Sequence, residues 1–324
     1  MEKTLRAVVA VVVASLGFAA TSAFAQYPAH AITMVVPFSA GGPLDAMARV
    51  LASKLADGFA QPVVVENRVG GGGALGMGSV ARAKPDGYTI LYTPNSLAIM
   101  PAFYRKLSFD AEKDLLPVSQ FASTTLVMAA HPKVGVSTVP ELVALARSKP
   151  GKLNFGSSGV ADPLQLGMEM LKTMAGIDML PIPYKGQAPM FTALLAGEVD
   201  VAIVSLQTSL APIRAGNLKV LAITGSKRST ALPGVPTVAE SGLAGFDLTS
   251  WHGVFVPAGT PRDVVDRLQR EIARVAQLPD VRQRMEATGN EAVGSTPEDF
   301  EAKFNSDVAR FRKIVQDAKL PMQD

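Results

Sequence analysis

The feature that most constrains this chain is the alternation of short apolar runs, rich in Val, Ile and Leu, with segments of helical periodicity. The apolar runs are continuous, without in–out alternation, which is typical of strands buried on both faces of a parallel sheet. Glycine, proline and aspartate separate the segments. The pattern therefore predicts an α/β fold. The predicted strands are residues 31–38, 62–67, 88–93, 124–130, 153–157, 180–184, 199–205 and 218–224.

From Thr260 onward the pattern is almost entirely helical, with a proline near the start of each helix. A helical tail of this length usually packs back on an earlier part of the chain. We therefore expect residues 26–125 and 251–324 to form one lobe and residues 126–250 a second. The predicted helices are residues 43–57, 75–83, 139–148, 163–175, 187–196, 208–215, 261–276, 279–288 and 297–317.

The first 25 residues have the features of a secretory signal peptide. Lys3 and Arg6 precede a short apolar stretch, and the small-x-small site Ala23-Phe24-Ala25 follows it. The alternative is a membrane anchor, but residues 7–20 are short for a bilayer span. We expect cleavage near Ala25 and export to the periplasm, which leaves 324 − 25 = 299 residues, enough for about two domains.

Composition excludes several kinds of function. The chain has no cysteine, so disulfides, thiolate catalysis and cysteine-ligated metals are ruled out. The net charge of +3 is small, and no basic run with interleaved aromatic residues is present, so a nucleic-acid partner is not expected. No metal-binding, P-loop or nucleophile-elbow motif occurs, and we expect no metal, cofactor or catalytic residue.

Two loops without bulky side chains follow predicted strands and lead into predicted helices. One is Ser39-Ala40-Gly41-Gly42 before Pro43, and the other is Gly156-Ser157-Ser158-Gly159 before Asp162-Pro163. A helix start has unpaired N–H groups and partial positive charge, so an anion can bind there. A tight strand-to-helix turn is the alternative for each loop. Their occurrence in both lobes favours a ligand site, because ligands of open α/β sheets bind at the carboxyl ends of the strands.

Other polar residues also follow strand ends, and turn chemistry is the alternative explanation for each. Asp45 either stabilises its helix as an acidic residue in the first turn or faces a ligand cleft between the two lobes. The complete set of candidate ligand-binding residues is Phe38, Ser39, Ala40, Gly41, Gly42, Asp45, Thr93, Asn95, Gly156, Ser157, Ser158, Gly159, Tyr184, Lys185, Gly186 and Ser205.

Two further motifs indicate other functions only weakly. Residues 71–76 satisfy G-x-G-x-x-G, but no acidic residue lies about 20 positions later, so a flexible loop is preferred to a dinucleotide site. Ser157 or Ser158 could serve as a nucleophile only if a distant histidine converged on it.

Six segments together resemble the solute receptors of tripartite tricarboxylate transporters, the Bug family. They are VVPFSAGGPLD (35–45), VVVENRVGGGGALG (63–76), KPDGYTILYTPNS (84–96), PYKGQAPMFTALLAGEVDV (183–201), LKVLAITGSKRSTALPGVPTVAESG (218–242) and WHGVFVPAGTP (251–261).

The resemblance implies a two-lobed periplasmic-binding-protein (Venus flytrap) fold, each lobe a mainly parallel sheet flanked by helices, with two inter-lobe crossings. It implies a receptor that captures a small organic carboxylate and delivers it to a membrane permease, and we expect this receptor to be a monomer. In such receptors the loops corresponding to residues 39–42 and 156–159 hold the ligand carboxylate. A periplasmic sensor for a signalling partner, or a serine-dependent exported hydrolase, remains an alternative function.

Overall fold

The computed structural model describes residues 27–157, 162–184, 186–287, 289–320 and 322, and the predicted signal peptide lies outside them. Two separate β-sheets, of six and five strands, organise this part of the chain. The strands are β1 (Ile32–Val36), β2 (Val63–Asn67), β3 (Thr89–Pro94), β4 (Leu115–Thr124), β5 (Leu126–Ala130), β6 (Asn154–Ser157), β7 (Leu180–Pro183), β8 (Val201–Ser205), β9 (Lys219–Ile223), β10 (Ser250–Pro257) and β11 (Asn290–Ala292).

The first sheet has the order β11-β4-β10-β3-β1-β2, and the second has the order β7-β6-β8-β5-β9. In the first sheet β1 pairs in parallel with β2 and β3, whereas β10 and β11 pair antiparallel. In the second sheet β6 pairs in parallel with β7 and β8, whereas β5 pairs antiparallel with β8 and β9. Both sheets are therefore mixed, but most strands of each run in one direction, as expected: β1, β2, β3 and β4 in the first sheet and β6, β7, β8 and β9 in the second.

The antiparallel strands are mixed into the sheets because the chain crosses between them. β4 and β5 are separated by Thr125 alone, so the first crossing is one continuous extended segment. The return crossing lies between the end of β9 at Ile223 and the start of β10 at Ser250. A strand that enters a sheet from the crossing edge is antiparallel to the strands that end at that edge. β5 is therefore antiparallel to β8, and β10 is antiparallel to β3 and β4.

Strand register shows which edge of each sheet faces the crossings. In the first sheet Thr124 pairs with Ser250 and Pro94 pairs with His252, so β3 ends at the crossing edge. In the second sheet Leu126 pairs with Ser205, so β8 also ends there. The carboxyl ends of the parallel strands in both sheets thus point toward the crossings.

Helices cover the faces of both sheets. They are α1 (Pro43–Phe59), α2 (Ala74–Ala81), α3 (Ser96–Phe103), α4 (Val139–Ser148), α5 (Pro163–Ala175), α6 (Gln187–Ala196), α7 (Leu206–Arg214), α8 (Arg262–Ala276), α9 (Pro279–Ala287) and α10 (Pro297–Asp317). No helix in these described ranges is both long and apolar enough to cross a bilayer.

The C-terminal helix α10 contacts both parts of the molecule. It packs on α3 and β4 of the first part and on α5 of the second. Its buried side chains include Phe300, Phe304 and Phe311, and the first two pack against Trp251 at the start of β10. The helical tail therefore packs on the first sheet and also touches a helix beside the second sheet.

Candidate functional site

The loop between β1 and α1 lies at the crossing edge of the first sheet. Ser39, Ala40 and Gly41 are exposed, and Gly41 has φ +82°, a conformation that favours glycine. Gly42 is the N-cap of α1, and no side chain caps this helix start. Because Pro43 has no N–H, the first-turn donors that remain are the backbone N–H groups of Leu44 and Asp45.

Asp45 organises this loop from the inside. Its carboxylate is 3% exposed and accepts hydrogen bonds from Gly41 N–H at 2.9 Å, Arg49 Nε at 2.9 Å and Asn67 Nδ2 at 3.0 Å. The same Asn67 amide donates to the carbonyl of Phe38 at 2.9 Å. The carboxylate therefore has internal partners that hold both ends of the loop in place.

The ionised form of Asp45 is the stable one. Burial by itself raises the pKa of a carboxyl group, but hydrogen bonds from Arg49, Gly41 and Asn67 outweigh it, so the pKa of Asp45 is lowered. The adjacent cation partly neutralises this carboxylate. The Asp45 carboxylate would therefore repel an anionic ligand at the helix start less than an unpaired carboxylate would, because Arg49 is paired with it.

The glycine-rich segment between β2 and α2 supports the same loop. Gly70, Gly71, Gly72 and Gly73 all have positive φ, which explains four successive glycines. A Cβ on Gly73 would lie 3.3 Å from Cζ of the Phe38 ring. The G-x-G-x-x-G pattern thus corresponds to a tight packing contact against the β1–α1 loop.

The corresponding loop of the second sheet differs from the first. Gly156 is buried within β6, where a Cβ would lie 2.7 Å from Met190 Cγ, so close packing explains this glycine. Ser157 ends β6 and is 2% exposed, while Ser158 and Gly159 lie outside the described residues. At the start of α5, Asp162 Oδ1 accepts from Leu164 N–H at 2.7 Å. This helix start already has a carboxylate cap, unlike that of α1.

Three other predicted positions line the crossing edge of the second sheet. Ser205 is partly exposed at the end of β8 and precedes α7, which has no side-chain cap. Tyr184 is partly exposed and donates its backbone N–H to Ser157 at 2.8 Å. Gly186 precedes α6 with φ +103°, and Lys185 lies outside the described residues. Ser205 is therefore the best-defined polar side chain on this edge.

The two predicted positions at the end of β3, Thr93 within the strand and Asn95 just after it, are fully buried. Thr93 is 0% exposed. Asn95 donates its amide to Thr249 O at 3.3 Å and its backbone N–H to Trp251 O at 3.1 Å. Asn95 thus ties the end of β3 to the return crossing, and its contacts are structural.

The alternative function, a hydrolase with Ser157 or Ser158 as nucleophile, requires a histidine close to that serine. His131 follows β5 at the edge of the second sheet remote from the crossings, whereas Ser157 lies at the crossing edge. His30 stacks on Tyr88 with ring centroids 3.6 Å apart. Neither histidine is placed to activate Ser157. Among the described residues no group of three or more His, Asp or Glu side chains is arranged to hold a metal ion.

His252 is a polar residue of the crossing edge that was not among the predicted site residues. It lies on β10, partly exposed, and its Nδ1 is buried without a hydrogen-bond partner in the described structure. Burial lowers the pKa of His252 to about 4, so the imidazole is neutral at pH 7. Its position in WHGVFVP, a segment that carries the family resemblance, was the available sequence signal.

The family described as tripartite tricarboxylate transporter family receptor matches residues 47–320. Protein BugT of Bordetella pertussis is 36% identical over 315 residues, which is 97% of each chain. The structure of R. palustris Rpa4515 with adipate has 31% identity and a TM-score of 0.82, covering 92% of this chain and all of the other. MatC from Rhodopseudomonas palustris with bound malate has 29% identity and a TM-score of 0.77, covering 89% and 100%.

Two mixed sheets flanked by helices fit the two-lobed α/β fold of the periplasmic solute-binding proteins to which the structure is similar. The chain belongs to the family of tripartite tricarboxylate transporter receptors. The predicted family and the two-lobed α/β fold are therefore confirmed.

Proposed function

We propose that this chain is an exported, monomeric receptor, with no catalytic role, that captures a small organic carboxylate and delivers it to a membrane permease of the tripartite tricarboxylate transporter type. In this proposal residues 26–125 with 251–324 form one lobe and residues 126–250 the other. The ligand binds between them, in the periplasm. The adipate and malate bound by the two structural relatives support a carboxylate as the ligand class.

One observation carries the proposal: the start of α1 is uncapped, exposed and braced by a buried network. Backbone N–H groups at such a start bind carboxylates well, and small side chains let the ligand approach them. Ser205 is partly exposed at the end of β8, on the crossing edge of the second sheet, and we propose that it contacts the far end of the ligand. Ser157, Ser158, Gly159, Tyr184, Lys185 and Gly186 complete the proposed contact set of that lobe.

A substitution at Gly42 separates binding from folding. Gly42 has an extended backbone with φ −79°, and a Cβ there would meet only Ser39 O at 3.7 Å. Gly42→Asp should therefore fold, and its carboxylate should cap the first-turn N–H groups that the ligand would use. We expect affinity for the tightest acid of a calorimetric panel (adipate, succinate, malate, butanoate and hexanoate) to fall at least hundredfold, about 2.7 kcal/mol, with an unchanged or slightly higher melting temperature.

The matched control is Gly234→Asp, because Gly234 is exposed in the second lobe and a Cβ there meets nothing within 4 Å. This variant should bind as the wild type does. Gly42→Val tests the steric part of the effect without a competing charge. Wild-type affinity in Gly42→Asp would show that the ligand does not use the start of α1, and a panel without any binding acid would contradict the proposed ligand class.

A further inference from the structure

Several buried polar atoms lack hydrogen-bond partners in the described structure, and three of them belong to neighbouring strands of the first lobe: Tyr92 OH, Thr124 Oγ1 and His252 Nδ1. Tyr92 is 0% exposed and Thr124 is 9% exposed. Buried polar atoms in folded proteins nearly always have a partner, whether protein, water or ligand. Three such atoms in one region therefore indicate a group that binds there.

Strand register places the three side chains on one face of the sheet. β3, β10 and β4 are neighbours, with Pro94 opposite His252 and Ser250 opposite Thr124. Residues two apart on a strand share a face, so Tyr92, His252 and Thr124 all point to the same side. The rings of Tyr92 and His252 are in edge contact, with centroids 5.8 Å apart. Thr124 lies on the same face, opposite Ser250 and on the other side of β10 from Tyr92. We name the three residues the β3–β10–β4 cluster.

The cluster lies on the α1 side of the sheet. Tyr92 belongs to the same core as Ala48, Leu51 and Leu55 of α1, so this helix covers the face that carries the cluster. The start of α1 and the His252 end of the cluster are both at the crossing edge. His252 is the partly exposed member, so it is the one that a bound molecule reaches first. A ligand whose carboxylate binds at the α1 start can thus extend along this edge toward the cluster.

The chemistry of the cluster selects an uncharged partner. It offers two hydroxyl groups and an imidazole that burial keeps neutral, which together can both donate and accept hydrogen bonds. None of the three neutralises a full charge, and burial of an unpaired ion is costly. A hydroxyl group or a carbonyl oxygen satisfies such a site.

We propose that His252, with Tyr92 and Thr124 on either side of it, forms a subsite for neutral hydroxyl or carbonyl oxygens of the ligand, so that the receptor selects hydroxy- or oxo-carboxylic acids. This inference rests on the proposed function, because it assumes that the ligand carboxylate is held at the α1 start. It names the substrate class of that same cleft.

The test measures a preference within matched pairs of acids. Calorimetry compares malate with succinate, 3-hydroxybutanoate with butanoate, and 6-hydroxyhexanoate with hexanoate. Wild type should bind the hydroxy acid at least tenfold more tightly in one or more pairs. Tyr92→Phe and Thr124→Val should each reduce that ratio toward one, while affinity for the unsubstituted acid changes less than twofold.

Tyr27→Phe is the matched control, because the Tyr27 hydroxyl already donates to Gly87 O at 2.7 Å, and the ratio should not change. Equal binding within all pairs by wild type would overturn the subsite but leave the proposed function intact. A hydroxy-acid preference that persists unchanged in both cluster variants would also overturn it. Failure of every acid to bind would overturn the proposed function and the subsite together.

Tyr92→Phe gives a second measurement that needs no ligand. If the hydroxyl is unpartnered until a ligand arrives, its removal should leave the melting temperature of the free protein unchanged or higher. A marked decrease would show that the hydroxyl has a permanent structural partner, such as a fixed water, and would contradict the subsite.

Discussion

Replacing Asp45 with alanine is expected to weaken binding of the panel acid by about ten- to hundredfold, equivalent to about 1.4–2.7 kcal/mol. Two effects oppose each other in this variant. Loss of a carboxylate removes a negative charge near the anionic ligand, which favours binding. Loss of the contacts to Gly41 and Asn67 frees the loop that positions the helix start, which disfavours binding. We expect positioning to dominate, because Arg49 already neutralises part of the charge.

Whether Asp45→Ala weakens or strengthens ligand binding therefore shows whether Asp45 mainly positions the loop or mainly repels the ligand. Calorimetry on Asp45→Ala and Asp45→Asn, at low and high salt, separates the two effects, because salt screens only the charge contribution. Asp45→Asn retains a hydrogen-bond acceptor for Gly41 and should bind more tightly than Asp45→Ala. Tighter binding in Asp45→Ala than in wild type would show that Asp45 repels the ligand and does not position the loop.

Replacing Asp307 with alanine is expected to lower the free energy of unfolding by about 3 kcal/mol. Asp307, on α10, is 2% exposed and accepts the indole N–H of Trp251 at 2.7 Å. It also pairs with Arg310 at 2.5 Å and Lys303 at 3.4 Å, and Arg310 donates to Asp247 O at 2.7 Å. The variant would leave a buried indole donor unpaired and would weaken the attachment of α10 to the return crossing.

Asp317→Ala on the same helix is the matched control. Asp317 pairs with Lys313 at 2.8 Å, but both side chains are exposed, so its loss should have little effect. Chemical denaturation followed by fluorescence suits both variants, since Trp251 is the single tryptophan of the chain. A loss below about 1 kcal/mol for Asp307→Ala would show that the buried network contributes little to stability.

Periodicity in the sequence predicted most helices with good bounds, because those helices bury a regular apolar face. It did not predict α3 (Ser96–Phe103), which is apolar on all sides and contains Pro101. It also did not predict β4, where Pro117, Ser119 and Gln120 interrupt the apolar pattern. β4 forms because β10 and β11 pair with it on either side, and such long-range pairing leaves no local signal.

The site was predictable only in part. Small residues before Pro43 identified the α1 start, since that signal is local. The internal role of Asp45 was not predictable, because Asn67 is 22 positions away in the sequence. The cap at α5 could have been predicted, since aspartate directly before a helix-starting proline is a typical N-cap. The packing of Gly156 on Met190 and the burial of Asn95 depend on tertiary contacts alone.

Small-angle scattering with and without the panel acid tests the central claim most directly. A ligand that bridges the start of α1 and the second lobe must favour a closed arrangement, since a ligand can shift only an equilibrium whose states it binds differently. At saturation established by calorimetry, the radius of gyration of wild type should decrease, and that of Gly42→Asp should not. An unchanged radius of gyration in fully saturated wild type would contradict a carboxylate held between the two lobes.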